Sequence, residues 1–240
     1  MKVHQISAHL SLYTSENHTF GTDAVLLADF SSPRPNDTVW DLGTGCGIIP
    51  FLLDAHFRPQ KITGVDVSEE AYDLFHASLK ASSPRSFIEP LHQNIKELFP
   101  QFQQENAHLV VSNPPYFLAG SGKISEPEKA QVARHESLST FADFAEAASK
   151  LLRYGGRFCF CMKPVRLAET ICTLEKYHLT PKRLRMVSNR SEEAPWLFLL
   201  EAKKGGHTGL SVEKPLFLRN ADHTFSQEYR RIYGLKEDEQ

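Results

Sequence analysis

Thr38-Val39-Trp40-Asp41-Leu42-Gly43-Thr44-Gly45-Cys46-Gly47-Ile48-Ile49 is the stretch on which the fold turns. A β-branched and aromatic run leads into an acid, then three glycines at every second position, then an apolar run. The pattern predicts a buried strand, a loop whose backbone has no Cβ to hold a ligand away, and the start of a helix. The N–H groups at such a helix start suit a nucleotide-like ligand. The spacing is not the G-x-G-x-x-G of dinucleotide folds, because the third glycine comes one residue early.

Downstream, 61–66 is a second strand ending in Asp66, about 20 residues after the last glycine, where an acid can accept hydrogen bonds from ribose hydroxyls. Ser68, Glu69 and Glu70 then open a helix. Residues 87–92 predict a third strand, 95–102 a short helix, and His108-Leu109-Val110-Val111 a fourth strand. Beyond a polar loop at 117–137, residues 138–152 form an amphipathic helix. A strand at 157–162, a helix at 166–177, strands at 183–187 and 196–202, a short addition at 214–218 and a helix at 226–233 complete the chain. Upstream, 1–20 carry no clear element. Phe20-Gly21-Thr22-Asp23 opens a helix that Thr22 or Asp23 can cap, and the prolines at 33 and 35 mark a linker.

Strands alternating with helices imply an α/β fold with a mostly parallel sheet and right-handed crossovers. The last two strands lack an intervening helix, which predicts an antiparallel edge. No repeat or second-domain linker interrupts the chain. The expectation is one domain: an N-terminal segment at 1–37, a core at 38–204 and a tail at 205–240.

The fourth strand runs into Ser112-Asn113-Pro114-Pro115-Tyr116. Two prolines cannot donate to a ladder, and they fix φ while pushing the preceding residue to extended geometry. A rigid corner therefore stands at the carboxyl end of a strand, where open α/β sheets place ligands. It offers the Asn113 amide, the Pro114 carbonyl and the Tyr116 ring. Two acceptors and a flat face suit a planar group bearing NH2, such as the exocyclic amine of a nucleobase.

The 240 residues are 41% hydrophobic and 23% charged, an ordinary globular composition. No long apolar run opens the chain and no segment approaches membrane-spanning length, so the expectation is a cytoplasmic protein without signal peptide or membrane partner. Cys46, Cys159, Cys161 and Cys172 form no C-x-x-C pair and read as buried reduced thiols, with Cys159 and Cys161 sharing one strand face. The eleven histidines show no ligand spacing, so no metal is expected. Residues 1–149 hold 10 Lys and Arg against 18 Asp and Glu, a balance of −8; residues 150–240 hold 17 against 11, a balance of +6. Such asymmetry allows a polyanion to dock on one side, and Lys182, Arg183 and Arg185 form the densest basic run.

These motifs together resemble the class I S-adenosylmethionine-dependent methyltransferases, and the Asn-Pro-Pro-Tyr corner resembles the branch that methylates amino or amide nitrogens. Phe20-Gly21-Thr22-Asp23 with Leu26-Leu27, Ala133-Arg134-His135-Glu136 and the tail at 216–233 are similar to tRNA (adenine-N6)-methyltransferases acting on valine tRNA. The resemblance implies a Rossmann-like, seven-stranded sheet with helices on both faces. It implies S-adenosylmethionine as cofactor, held by Thr22, Asp23, Asp41, Gly43, Gly45, Asp66 and Asn94; at Asn94 the family often has Asp. Asn113, Pro114 and Tyr116 would hold the target base, and Lys123, Arg134, Lys182, Arg183 and Arg185 are the candidate phosphate contacts.

Other readings stay open from sequence alone. A protein-glutamine methyltransferase shares the corner, though 37 residues before the first core strand leave little room for its usual extra helical domain. Ribosomal RNA or DNA could replace tRNA, and a non-catalytic adaptor could keep the cofactor pocket. A nicotinamide-dependent oxidoreductase is disfavoured by the glycine spacing.

Overall fold

The computed structural model of the protein describes residues 1–99, 101, 106–114 and 139–235. A hairpin of β1 (Lys2–Ser7) and β2 (Leu10–Thr14) comes first, where sequence reading found no element. Its alternating pattern spans only five residues in β2, with Leu10 and Leu12 fully buried. Serine hydroxyls settle its other edge: Ser78 and Ser82 accept the N–H groups of Tyr13 and Ser11, both at 2.9 Å. Those serines lie on and just beyond α3 (Glu69–Lys80), so only tertiary packing makes this hairpin secure.

Helix α1 (Thr22–Ser31) is buried along most of its length. Its N-cap is Gly21, with no side-chain cap, so Thr22 and Asp23 lie in the first turn instead of capping it. Asp23 Oδ1 accepts the Ala24 N–H at 2.9 Å, and its charge suits the positive helix end. The core then runs β3 (Thr38–Leu42), α2 (Ile48–His56), β4 (Lys61–Asp66), α3, β5 (Phe87–His92) and β6 (Ala107–Ser112). Later in the chain come α4 (Phe141–Leu151), β7 (Leu152–Met162), α5 (Leu167–Lys176), β8 (Leu179–Ser188) and β9 (Leu197–Lys204). The short β10 (Ser211–Val212), β11 (Leu216–Phe217) and α6 (Gln227–Tyr233) end the described chain. Of the helix expected at 95–102, the described residues form a 3-10 turn, Ile95–Glu97. A proline at 100 disfavours helical geometry at Phe99 and supplies no N–H.

The principal sheet is ordered β10-β8-β9-β7-β6-β3-β4-β5, with β11 also on β8. The expected seven strands are all present, and two two-residue additions on β8 bring the sheet to nine. Among the described strands of this sheet only β9 runs against its neighbours, and it is inserted between β7 and β8. Strand parity divides the core in two. Cys159 and Cys161 face the layer of α1, α2, α3 and α6, whereas Phe158, Phe160 and Met162 face α4 and α5. Cys46, Cys159 and Cys161 are buried as expected; Cys172 is exposed.

Candidate active site

The carboxyl ends of β3 and β4 build one wall. The N–H groups of Gly43 and Thr44 both donate to the Val65 carbonyl at 2.9 Å, folding the loop across the end of β4. Asp66 then ties the loop to the next helix: Oδ2 accepts the Gly45 N–H at 2.8 Å and Oδ1 the Ser68 N–H at 2.9 Å. Ser68 caps α3 through the Ala71 N–H at 3.3 Å. Gly47 has φ +87°, and a Cβ there would stand 2.3 Å from the Phe75 ring, so helix α2 can lie against α3 only over a glycine. Gly45, with φ +57°, would find nothing within 4 Å of a Cβ; that side of the loop is open space where a ligand can approach the backbone.

Asp41 is fully buried in this wall. Its Oδ2 accepts the Thr44 hydroxyl at 2.7 Å, while Oδ1 has no hydrogen-bond partner among the described residues. Burial pushes its pKa up to about 7, the Thr44 hydrogen bond opposes that rise, and the charge of Asp66 adds to it. A buried acceptor without a donor is costly. An ammonium group entering beside the open loop would satisfy it, so the chemistry of this wall fits the amino-acid end of S-adenosylmethionine. Asn94 caps the 3-10 turn, its Oδ1 accepting the Lys96 N–H at 3.0 Å. The Thr22 side chain meets the Tyr233 phenol of α6, whose pKa is raised mainly by burial, so the tail packs against the site.

The second wall begins where Ser112 donates from Oγ to the Leu42 carbonyl at 2.7 Å, locking the end of β6 to that of β3. Half-buried Asn113 follows at once. Its Nδ2 donates to Asp23 Oδ2 at 3.1 Å, and its Oδ1 accepts the Cys161 thiol at 3.1 Å. Pro114 is buried. Tyr116, Lys123 and Arg134 lie outside the described residues. The structure thus brings Thr22, Asp23, Asp41, Gly43, Gly45, Asp66, Asn94, Asn113 and Pro114 to the carboxyl side of the sheet and its α1 border.

The basic run is arranged differently. Arg183 and Arg185 share strand parity with Val187, which faces the α1 layer, whereas Leu184 faces the opposite core. The Arg183 guanidinium stacks 4.2 Å over Phe30, donates to the Phe30 carbonyl at 2.7 Å and lies 3.4 Å from Glu201. Arg185 makes a two-pronged pair with Glu228 at 2.8 and 2.7 Å. Lys182 stands at a break in the β8–β9 register and donates to the His207 carbonyl at 3.1 Å. Much of this cluster's charge is engaged inside the protein.

Sequence reasoning missed Cys161, Thr44 and Tyr233. Thr44 was findable as the hydroxyl three residues after Asp41; the other two become neighbours of the site only through strand order and tail packing. Among the described residues no group of three His, Cys, Asp or Glu side chains is placed to hold a metal, and no helix is long and apolar enough to cross a membrane.

Known proteins resemble this chain in sequence and in fold. The tRNA1(Val) (adenine(37)-N6)-methyltransferase of Tolumonas auensis is 28% identical over 214 residues, covering 87% of this chain and 85% of its own. The protein of the same name from Pedobacter heparinus is 30% identical over 159 residues, 65% of this chain and 64% of its own. A crystal structure of a predicted O-methyltransferase from Agrobacterium tumefaciens superposes with a TM-score of 0.72 over 89% of this chain and 96% of that one. At 23% identity this last likeness speaks to the fold, which is that of a methyltransferase. The methyltransferase small domain model matches residues 4–177, from the first hairpin through the glycine loop and proline corner to the helix after β7, and the chain belongs to that family.

Proposed function

We propose that this protein transfers a methyl group from S-adenosylmethionine to the exocyclic N6 of an adenine in tRNA, beside the anticodon of valine tRNA. The observation that carries the reading is the Asn113 amide at the carboxyl edge, its Nδ2 3.1 Å from Asp23 and its strand locked to the one that enters the glycine loop. The names of relatives aligned over most of their length support the choice of substrate. The cofactor supplies an electrophilic methyl on sulfur. Gly43, Gly45 and Asp41 hold its amino-acid end, with Thr22 and Asp23 beside them; Asp66 accepts from the ribose hydroxyls and Asn94 borders the adenine.

On the substrate side, an adenine amine shares its lone pair with the ring and is a poor nucleophile. Accepting its two N–H bonds at Asn113 Oδ1 and the Pro114 carbonyl steers it toward pyramidal geometry, with the lone pair directed at the methyl. Orientation of this kind is worth about 7–11 kcal/mol in favourable cases. Fixed acceptor dipoles stabilise the positive charge that builds on nitrogen. No carboxylate base is required, because the nitrogen becomes strongly acidic only after transfer. Tyr116 stacks on the base, which leaves its own stack more cheaply in a loop than in a duplex. Lys123, Arg134 and Lys182 remain the proposed phosphate contacts, since Arg183 and Arg185 engage their charge with Glu201 and Glu228, and the reading places the enzyme, as one domain, in the cytoplasm with its tRNA.

Labelled S-adenosylmethionine offered with tRNA, ribosomal RNA, DNA and protein in parallel tests the reading. Label is expected in N6-methyladenosine of tRNA; label confined to another macromolecule overturns it. Asn113→Ala is expected to slow single-turnover transfer about 100-fold or more. S-Adenosylhomocysteine affinity should hold, since the glycine wall is untouched.

A further inference from the structure

The Asn113 side chain is held at both ends by residues far away in sequence, and the reason lies in the sheet. Strands β6 and β7 pair in parallel with Ser112 opposite Phe160, which sets Asn113 level with Cys161 on the next strand. Residues level across a parallel pair project to the same face. Cys161 belongs to the core layer under α1, so Asn113 is presented toward α1, and Asp23 waits in that helix's first turn.

Sterically, an asparagine amide fits either way round; chemistry chooses. An ionised carboxylate accepts hydrogen bonds and cannot donate, so the Asn113 NH2 must face Asp23. The oxygen then faces the Cys161 thiol, a donor. A flipped amide would set oxygen against carboxylate and lose both contacts. Asp23 is itself anchored, because its other oxygen takes the Ala24 N–H at 2.9 Å. The bond from Nδ2 to a charged acceptor is of the strong kind, and donation there increases the electron density on Oδ1.

The geometry points to Asp23 and Cys161 as positioning residues that lock the Asn113 amide in one orientation and strengthen its oxygen as an acceptor for the target amine. The inference rests on the reading that Asn113 receives that amine. Asp23 thereby acts on methyl transfer through Asn113, in addition to any contact with the cofactor. Cys161, completely buried, supplies one of the two hydrogen bonds that the amide oxygen can accept.

Single-turnover methyl transfer, at saturating S-adenosylmethionine and tRNA and normalised to folded protein, tests this. Asp23→Ala is expected to slow the step about 10- to 100-fold even at saturating cofactor. Asn113→Asp alone would face one carboxylate with another and should be slower still. Combining it with Asp23→Asn lets the bond run in reverse, from the new amide to the new carboxylate. The double variant is expected to recover at least about tenfold over Asn113→Asp. Cys161→Ser, which keeps a donor, should stay within about threefold of wild type, and Cys161→Ala should lose about tenfold. A double variant no faster than Asn113→Asp, or an Asp23→Ala rate equal to wild type, overturns the role of Asp23. Equal rates for Cys161→Ser and Cys161→Ala overturn that of Cys161. If Asn113→Ala itself transfers at the wild-type rate, the reading of Asn113 fails first; if it is slow while Asp23→Ala and Cys161→Ala are not, only the positioning inference falls.

Discussion

The two walls of the site are built by opposite strategies. The glycine wall is local: Asp41, Thr44, Gly45, Asp66 and Ser68 fall within 28 consecutive residues and are joined largely through backbone N–H groups. The proline-corner wall is convergent. Asp23 and Asn113 lie 90 positions apart, Asn113 and Cys161 lie 48 apart, and their contacts run between side chains. A wall of local backbone can be altered by the residue that pins it. A convergent wall depends on the whole sheet keeping its order, and small side-chain changes on any of three elements reach it.

The largest effect on the glycine side is expected from Asp66→Ala. Asp66 holds both the loop and the helix start, so its loss removes two charge-assisted hydrogen bonds along with any ribose contact. S-Adenosylhomocysteine affinity is expected to fall by about 1.5–3 kcal/mol in a calorimetric titration. The single-turnover rate at saturating cofactor should change far less than in Asn113→Ala; equal damage to both would erase the distinction between the walls.

The state of Asp41 supplies a finer test. Its folded pKa, about 7, lies above the ordinary 3.8, so the folded protein holds a proton that the unfolded chain has released between those values. That contribution to stability is complete below the ordinary value and is lost as pH rises through 7. Cofactor binding has the opposite preference, because an ammonium pairs with the ionised acid. S-Adenosylhomocysteine affinity should therefore rise with pH, approaching about tenfold per unit below the folded pKa, and level off above it. Asp41→Asn should flatten the profile; a pH-independent affinity in the native protein would remove Asp41 from the pocket.

The smallest effects belong to the basic run on β8. Lys182→Gln should flatten the salt dependence of tRNA binding by about one unit of slope if Lys182 meets a phosphate. Arg185→Gln should instead cost up to about 1 kcal/mol of stability through its pair with half-exposed Glu228, read as a lower Tm. An unchanged slope in Lys182→Gln would leave the run as a structural brace for the tail.

What the sequence alone discloses follows the same division. The strand, glycine loop and helix at 38–56, and the acid ending β4, were legible because each signal is carried by neighbouring residues and by short-range constraints of φ and periodicity. The strand that ends at Ser112, just before Asn113, was legible for the same reason. The hairpin at 2–14 was not, since its edge is satisfied by serines about 70 positions away. Nor was the division of Lys182-Arg183-Leu184-Arg185: four adjacent letters look like one patch until a strand sends alternate side chains to opposite faces and nearby acids claim the guanidinium groups.

By itself, then, the sequence determined the alternating α/β order, the open glycine loop and an amide at the carboxyl end of a strand, because these depend on the conformational limits of glycine and on local hydrophobic period. Only the tertiary structure decided which way that amide faces. Strand order sets Cys161 level with Asn113 and lays α1 across them, and the donor and acceptor identities of Asp23 and Cys161 then leave one favourable orientation.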